Sequence, residues 1–160
     1  MVSLDADDAW RTLYGDPRPR WALLGFTVTV LGLASVAFLL GFSVGLYEFA
    51  GWLVLVVALP TVAGVVGAGL LPTALSLWLV ILWGYVFPPL VGYLTGAWAP
   101  ASRYGHPRMA GYAYVSARAE LHGALDYVLG SGVWLALVLG ILGYGVGSLV
   151  LWAAKKSQTV

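Results

Sequence analysis

Cysteine is absent from the 160 residues, and so is asparagine. The first absence excludes disulfides, thiol nucleophiles and thiolate metal sites. The second removes N-glycosylation sequons. Charge is also scarce. Asp, Glu, Lys and Arg make up 9% of the chain, against roughly 25% in an ordinary soluble domain. With a net charge of +1 and no basic stripe to neutralise phosphates, nucleic acid is not an expected partner.

Where charge is missing says more than how little there is. No Asp, Glu, Lys or Arg occurs from Trp21 to Tyr47, from Phe49 to Ser102, or from Tyr127 to Ala154. A helix at the surface of a soluble protein needs a polar face for water, and such runs offer none. A membrane-spanning helix needs about 20 apolar residues. Hydrophobic residues are 61% of the chain, and the runs hold four lengths of that size. The expectation is an all-α polytopic membrane protein, a bundle of four transmembrane helices in one domain. Its spans are read at about 21–46, 50–70, 73–93 and 133–154. The abundance of Gly, Ala, Val and Leu, with Arg preferred to Lys, has a prokaryotic character.

The polar segment 1–20 has no apolar stretch of its own, which does not fit a cleavable signal peptide, so Trp21 onward is read as an uncleaved anchor. Within this segment Ala6, Trp10, Leu13 and Tyr14 share one helical face, and Gly15 is a stop signal. That pattern predicts a short interfacial helix. Asp16-Pro17-Arg18-Pro19 reads as a stiff, non-helical link, and Trp21 as an interfacial anchor. Pro60 is expected to kink the second span and Pro88-Pro89 to disturb the third. A rival reading makes part of Phe87–Trp98 a re-entrant piece.

Residues 95–131 form the one long polar stretch. Its first half is loop by its Pro and Gly content. From about Met109 to Leu129, Ala113, Ala117, Leu121, Ala124 and Val128 make an apolar stripe, while Arg118, His122 and Asp126 share a polar face. This predicts an amphipathic helix lying in the interface, ended by Gly130-Ser131-Gly132. Residues 155–160 are a short tail. Four crossings put both termini on one side, with Arg11, Arg18, Arg20, Lys155 and Lys156. Arg103, Arg108 and Arg118 lie on the other, and the bias toward the first set favours cytoplasmic termini in the cell membrane.

Two sets of residues are candidates for function. Ala37, Gly41, Gly45, Gly64, Ala68, Gly132, Ala136, Gly140, Gly143 and Gly147 recur at helical spacing, where small side chains let membrane helices approach closely. Such faces serve either internal packing or a second chain. Arg103, His106, Arg108, Tyr114, Arg118, His122 and Asp126 form a candidate polar face for a ligand or partner. A carboxylate-held His can shuttle protons or ligate a metal, but one Asp and one His are too few for a tight zinc site unless His106 swings in from the preceding loop. Ordinary solvated helical pairing explains the same spacing.

Gly41-Phe42-Ser43-Val44-Gly45 matches G-x-S-x-G, yet that motif works only on a sharp strand-to-helix turn with a His and an acid converging on the Ser. Inside a span it is a coincidence of glycine-rich sequence. Gly143-Tyr144-Gly145-Val146-Gly147 lacks the strand and lysine of a phosphate loop. No catalytic residue, cofactor or metal is therefore assigned. With no ionisable group expected at membrane depth, ion-coupled transport is disfavoured. The reading is a non-enzymatic accessory, assembly or scaffold subunit, its partners being membrane lipid and a membrane protein or second copy. The alternatives are a carrier or channel for a neutral or lipid-like solute, and an enzyme acting on lipid headgroups.

Overall fold

A computed structural model of the chain describes residues 6–45, 49–99, 102–105 and 115–158. All secondary structure among them is helical: α1 (Ala6–Tyr14), α2 (Pro17–Leu39), α3 (Gly51–Val66), α4 (Leu70–Thr95), α5 (Ala117–Tyr127) and α6 (Val133–Ser157). Three helical stretches are long and apolar enough to cross a membrane: Ala9–Leu39, which takes in most of α1 and all of α2, then α4, and the continuous run Ala117–Ser157. The fourth, α3, has 16 residues and is only about 24 Å long at 1.5 Å per residue.

Several boundaries differ from those read in the sequence. The first long helix begins at Pro17, inside the supposed link. Prolines are compatible with a first turn because its N–H groups have no helical acceptor, and their fixed φ suits the helix. The same helix ends at Leu39 rather than near residue 46, and Gly41 turns the chain at φ +103°. The re-entrant alternative is not observed, since α4 continues through Pro88-Pro89 to Thr95. Gly84 lies four residues before Pro88, where a proline ring crowds the preceding turn.

The largest departure lies between α5 and α6. Gly130-Ser131-Gly132 does not break the helix; Val128–Gly132 is a π-helical turn that joins α5 to α6 in one 41-residue rod. Of the interfacial helix expected from about Met109 to Leu129, residues 109–114 lie outside the described residues, and the part from Ala117 onward is the beginning of the last long helix rather than a separate element. Trp78 of α4 donates from its indole nitrogen to the Val128 carbonyl at 3.1 Å, a partner for backbone displaced by the wider turn.

Connections fix the topology. The α3–α4 turn is built from Gly67 (φ +70°) and Gly69 (φ +94°) around a fully buried Ala68. Asp16 N–H donates to the Gly67 carbonyl at 3.1 Å, so α2 starts beside the end of α3. From there α2 and α4 run in the same direction, while α3 and the α5–α6 rod run the opposite way. The buried positions on α4, including Leu77, Val80, Ile81 and Trp83, make it the central helix.

Small residues set the closest approaches. A Cβ on Gly64 would collide with the Tyr144 backbone, and one on Gly147 with the Thr61 carbonyl; Gly143 accepts the Pro60 ring, whose Cγ would lie 2.5 Å from an added Cβ. A Cβ added to Gly140 would stand 3.5 Å from the Ala74 Cα. One stripe of α6 thus packs on both α3 and α4. Leu77, Val80, Thr73, Ser76, Pro60, Pro89, Phe38 and Val128 fill the interior and are fully buried.

Candidate functional site

The richest polar chemistry among the described residues lies at one end of the bundle, where α2 and α4 end and α5 begins. Gly96 closes α4 in the left-handed conformation. The chain then folds back, so that Trp98 N–H donates to the Gly92 carbonyl at 3.2 Å. Trp98 and Tyr104 both lie over Gly92, where an added Cβ would stand 2.6 Å from the Tyr104 Cβ and 3.1 Å from that of Trp98. Ser102 Oγ donates to the Ala99 carbonyl at 2.8 Å and accepts from Ala99 N–H at 3.1 Å.

Two charged side chains fasten this segment. Glu120, 2% exposed, accepts a hydrogen bond from the Trp98 indole N–H. It stands in the first turn of α5, where an acidic group suits the helix dipole, just after Ser116. Ser116 caps the helix by accepting from Ala119 N–H at 3.2 Å. Arg103 donates to the Phe38 carbonyl in the last turn of α2. Its guanidinium lies 4.3 Å from the Phe38 ring centroid and 5.2 Å from that of Tyr104. A cation at a helix C-terminus complements the dipole, and the two rings add cation–π attraction.

Beneath this cap an aromatic ladder runs into the bundle. Phe38 meets Tyr104 and Phe87 edge-on at 5.8 Å, Phe87 stacks on Trp83 at 5.4 Å, and Trp83 meets Trp52 at 4.9 Å. The polar edges of both tryptophans are satisfied. Trp83 donates to Ser35 Oγ at 2.8 Å, and Trp52 to the Val44 carbonyl at 2.9 Å.

The expected ligand face is distributed differently. His106, Arg108 and Tyr114 lie outside the described residues. Arg118, His122 and Asp126 share an exposed stripe of α5. His122 Nδ1 lies 2.8 Å from the Arg118 carbonyl oxygen, so the ring donates to its own helix. Arg103 does not join that stripe but turns onto α2. The buried line of α5 is instead Glu120 and Ala124, continued by Val128 in the π turn. Glu120 was not among the candidates, although its spacing from Ala124 and Val128 was a readable signal.

Of the small residues, Gly64, Gly132, Ala136, Gly140, Gly143 and Gly147 face other helices of the same bundle. Ala68 is buried in the α3–α4 turn, Ala37 is half-buried, and Gly41 and Gly45 lie beyond the end of α2. The G-x-S-x-G run is therefore not inside a helix, as the sequence reading had it. It occupies an irregular segment with Ser43 exposed, and no strand precedes it among the described residues. No group of three or more metal-ligating His, Cys, Asp or Glu occurs among the described residues. Comparison with protein-family models, curated proteins and solved structures finds no match to this chain.

Proposed function

We propose that this chain is a four-crossing protein of the cell membrane, with both termini cytoplasmic, that serves as a non-enzymatic accessory, assembly or scaffold subunit. The observation that carries the reading is the filled interior. Side chains from every long helix occupy the bundle axis, and glycine-to-backbone contacts close the α3–α6 seam. A carrier for a neutral solute requires a passage where Leu77, Val80 and Phe38 now stand. The fourth crossing is α3, whose 16 residues match a bilayer thinned locally at modest cost.

Because the small-residue seam of α6 is engaged inside the bundle, a partner would meet the outward side of α2. There Gly25 and Gly32 have open space where a side chain would stand. The test is purification in mild detergent, followed by cross-linking and mass spectrometry. A stoichiometric membrane partner or a homo-oligomer joined through α2 is expected. A lone monomer across several mild detergents overturns the reading.

A further inference from the structure

We propose that the end of the bundle carrying α1 is an anionic-lipid footing: α1 lies in the headgroup layer with Trp10, Leu13 and Tyr14 toward the acyl chains, and the basic residues beside it gather phospholipid phosphates. The inference rests on the membrane reading above and names the lipid that one end of the molecule contacts.

The first support is position. Gly15 adopts φ +69° and its N–H donates to the Arg11 carbonyl at 2.8 Å, closing α1. Asp16 is extended, and α2 begins at the next residue, so a left-handed and an extended residue separate the two helices. Added Cβ atoms on Gly15 or Gly69 would collide with the facing backbone, at Ala68 and Tyr14 respectively. This backbone crossing pins α1 to the α3–α4 turn. Trp21 lies six residues after Gly15, about 9 Å along a helix. Wherever α2 leaves the hydrocarbon, α1 is within a headgroup's depth of it.

The second support is the level set by two cation-capped tryptophans. Trp21 and Trp152 are 65% and 62% exposed, and they lie near opposite chain termini. Arg20 stands 5.4 Å over the ring of one, and Lys156 stands 5.3 Å over the ring of the other. Both are at the same end, because α2 starts at the α3–α4 turn while Gly147 packs on Thr61 and Gly64 near the end of α3. Tryptophan with a cation above it belongs at the membrane–water boundary. Trp10, 58% exposed and stacked on Tyr14 at 5.1 Å, supplies a third aromatic there.

The third support is charge. Arg11, Arg18, Arg20, Lys155 and Lys156 are five of the eight basic residues. Asp16 is engaged by Arg11 at 3.3 Å, while Asp5, Asp7 and Asp8 come earlier in the sequence than Arg18 and Arg20, which adjoin the first span. Basic residues nearest the spans draw anionic headgroups.

The absence of native cysteine makes a clean test possible. Single cysteines at Leu13, Leu33, Gln158 and, as a second α1 position, Trp10 are labelled with a nitroxide. The protein is placed in vesicles of phosphatidylcholine with or without phosphatidylglycerol. The labels at positions 13, 10 and 33 are expected to favour collision with oxygen, and that at position 158 with a water-soluble relaxant. If the position-33 label favours the aqueous reagent, the membrane reading itself falls. If position 33 favours oxygen while 13 and 10 do not, the footing alone is overturned. Spin-labelled phosphatidylglycerol is expected to associate severalfold more strongly than phosphatidylcholine. That ratio should fall to about one when Arg18, Arg20, Lys155 and Lys156 are changed to Gln. No preference in the native chain overturns the anionic assignment.

Discussion

Glu120 and Arg103 show how single charged residues can act through what surrounds them. Glu120 is covered by the folded-back loop and holds the Trp98 indole. Replacing it with Ala leaves the half-buried Trp98 indole without this acceptor, at a cost of about 1 kcal/mol. Thermal unfolding in detergent should show that loss, and Glu120→Gln, which keeps an acceptor, should show less. A double-mutant cycle with Trp98→Phe should give a nonzero coupling; additive losses would mean that the pair does not hold the loop. For Arg103→Lys only partial retention of stability is expected against Arg103→Ala. A lysine can reach one carbonyl but lacks the flat guanidinium that lies over the Phe38 ring.

At the scale of elements, glycines of identical chemistry have opposite roles. Gly64 and Gly147 face backbone across the α3–α6 seam, while Gly25 and Gly32 face open space. Gly64→Ala and Gly147→Ala should each destabilise by about 1–3 kcal/mol, because the helices must separate. Gly25→Ala should be neutral or stabilise by up to about 1 kcal/mol through helix propensity. Denaturation midpoints of the three variants check the sign as well as the size. The α5–α6 junction carries the same lesson in another form. Two glycines and a serine look like a stop, yet Gly132 faces Ile81, whose Cγ2 would lie 3.3 Å from an added Cβ, and the Trp78 indole secures the π turn. Helical continuity there comes from neighbours that local composition cannot reveal.

For the whole molecule, outward-facing large apolar side chains such as Leu33, Leu53, Leu94 and Leu142 are more than 60% exposed. Water would not tolerate such a surface on a monomer. The protein should remain in the membrane pellet after an alkaline carbonate wash and leave it only with detergent. Release by carbonate would contradict the spanning reading.

Much of this architecture was legible without coordinates, because membrane spanning is a demand on composition over a length. A charge-free run of more than 20 residues is visible in one dimension, and so is the glycine stop after α1; the left-handed turn around Ala68 is not, since residues 67–69 read as the end of the span 50–70 whereas α3 stops at Val66. The polar stripe of Arg118, His122 and Asp126 was visible for the same reason, since helical spacing alone puts them on one face. Proline was harder to read. The rule that it breaks helices applies to interiors, and Pro17 and Pro19 stand in a first turn. The bond from Arg103 to the Phe38 carbonyl is not legible in the sequence, because the two residues are 65 positions apart.

What the order of residues settled by itself was an all-helical chain with stretches suited to hydrocarbon, since hydrophobicity acts locally and adds along a helix. Which glycines are spent inside, which carboxylate is buried, and whether α5 stands apart from α6 were settled only in three dimensions. Those outcomes depend on contacts between residues far apart in the chain, where packing and hydrogen bonding, rather than local propensity, decide the free energy.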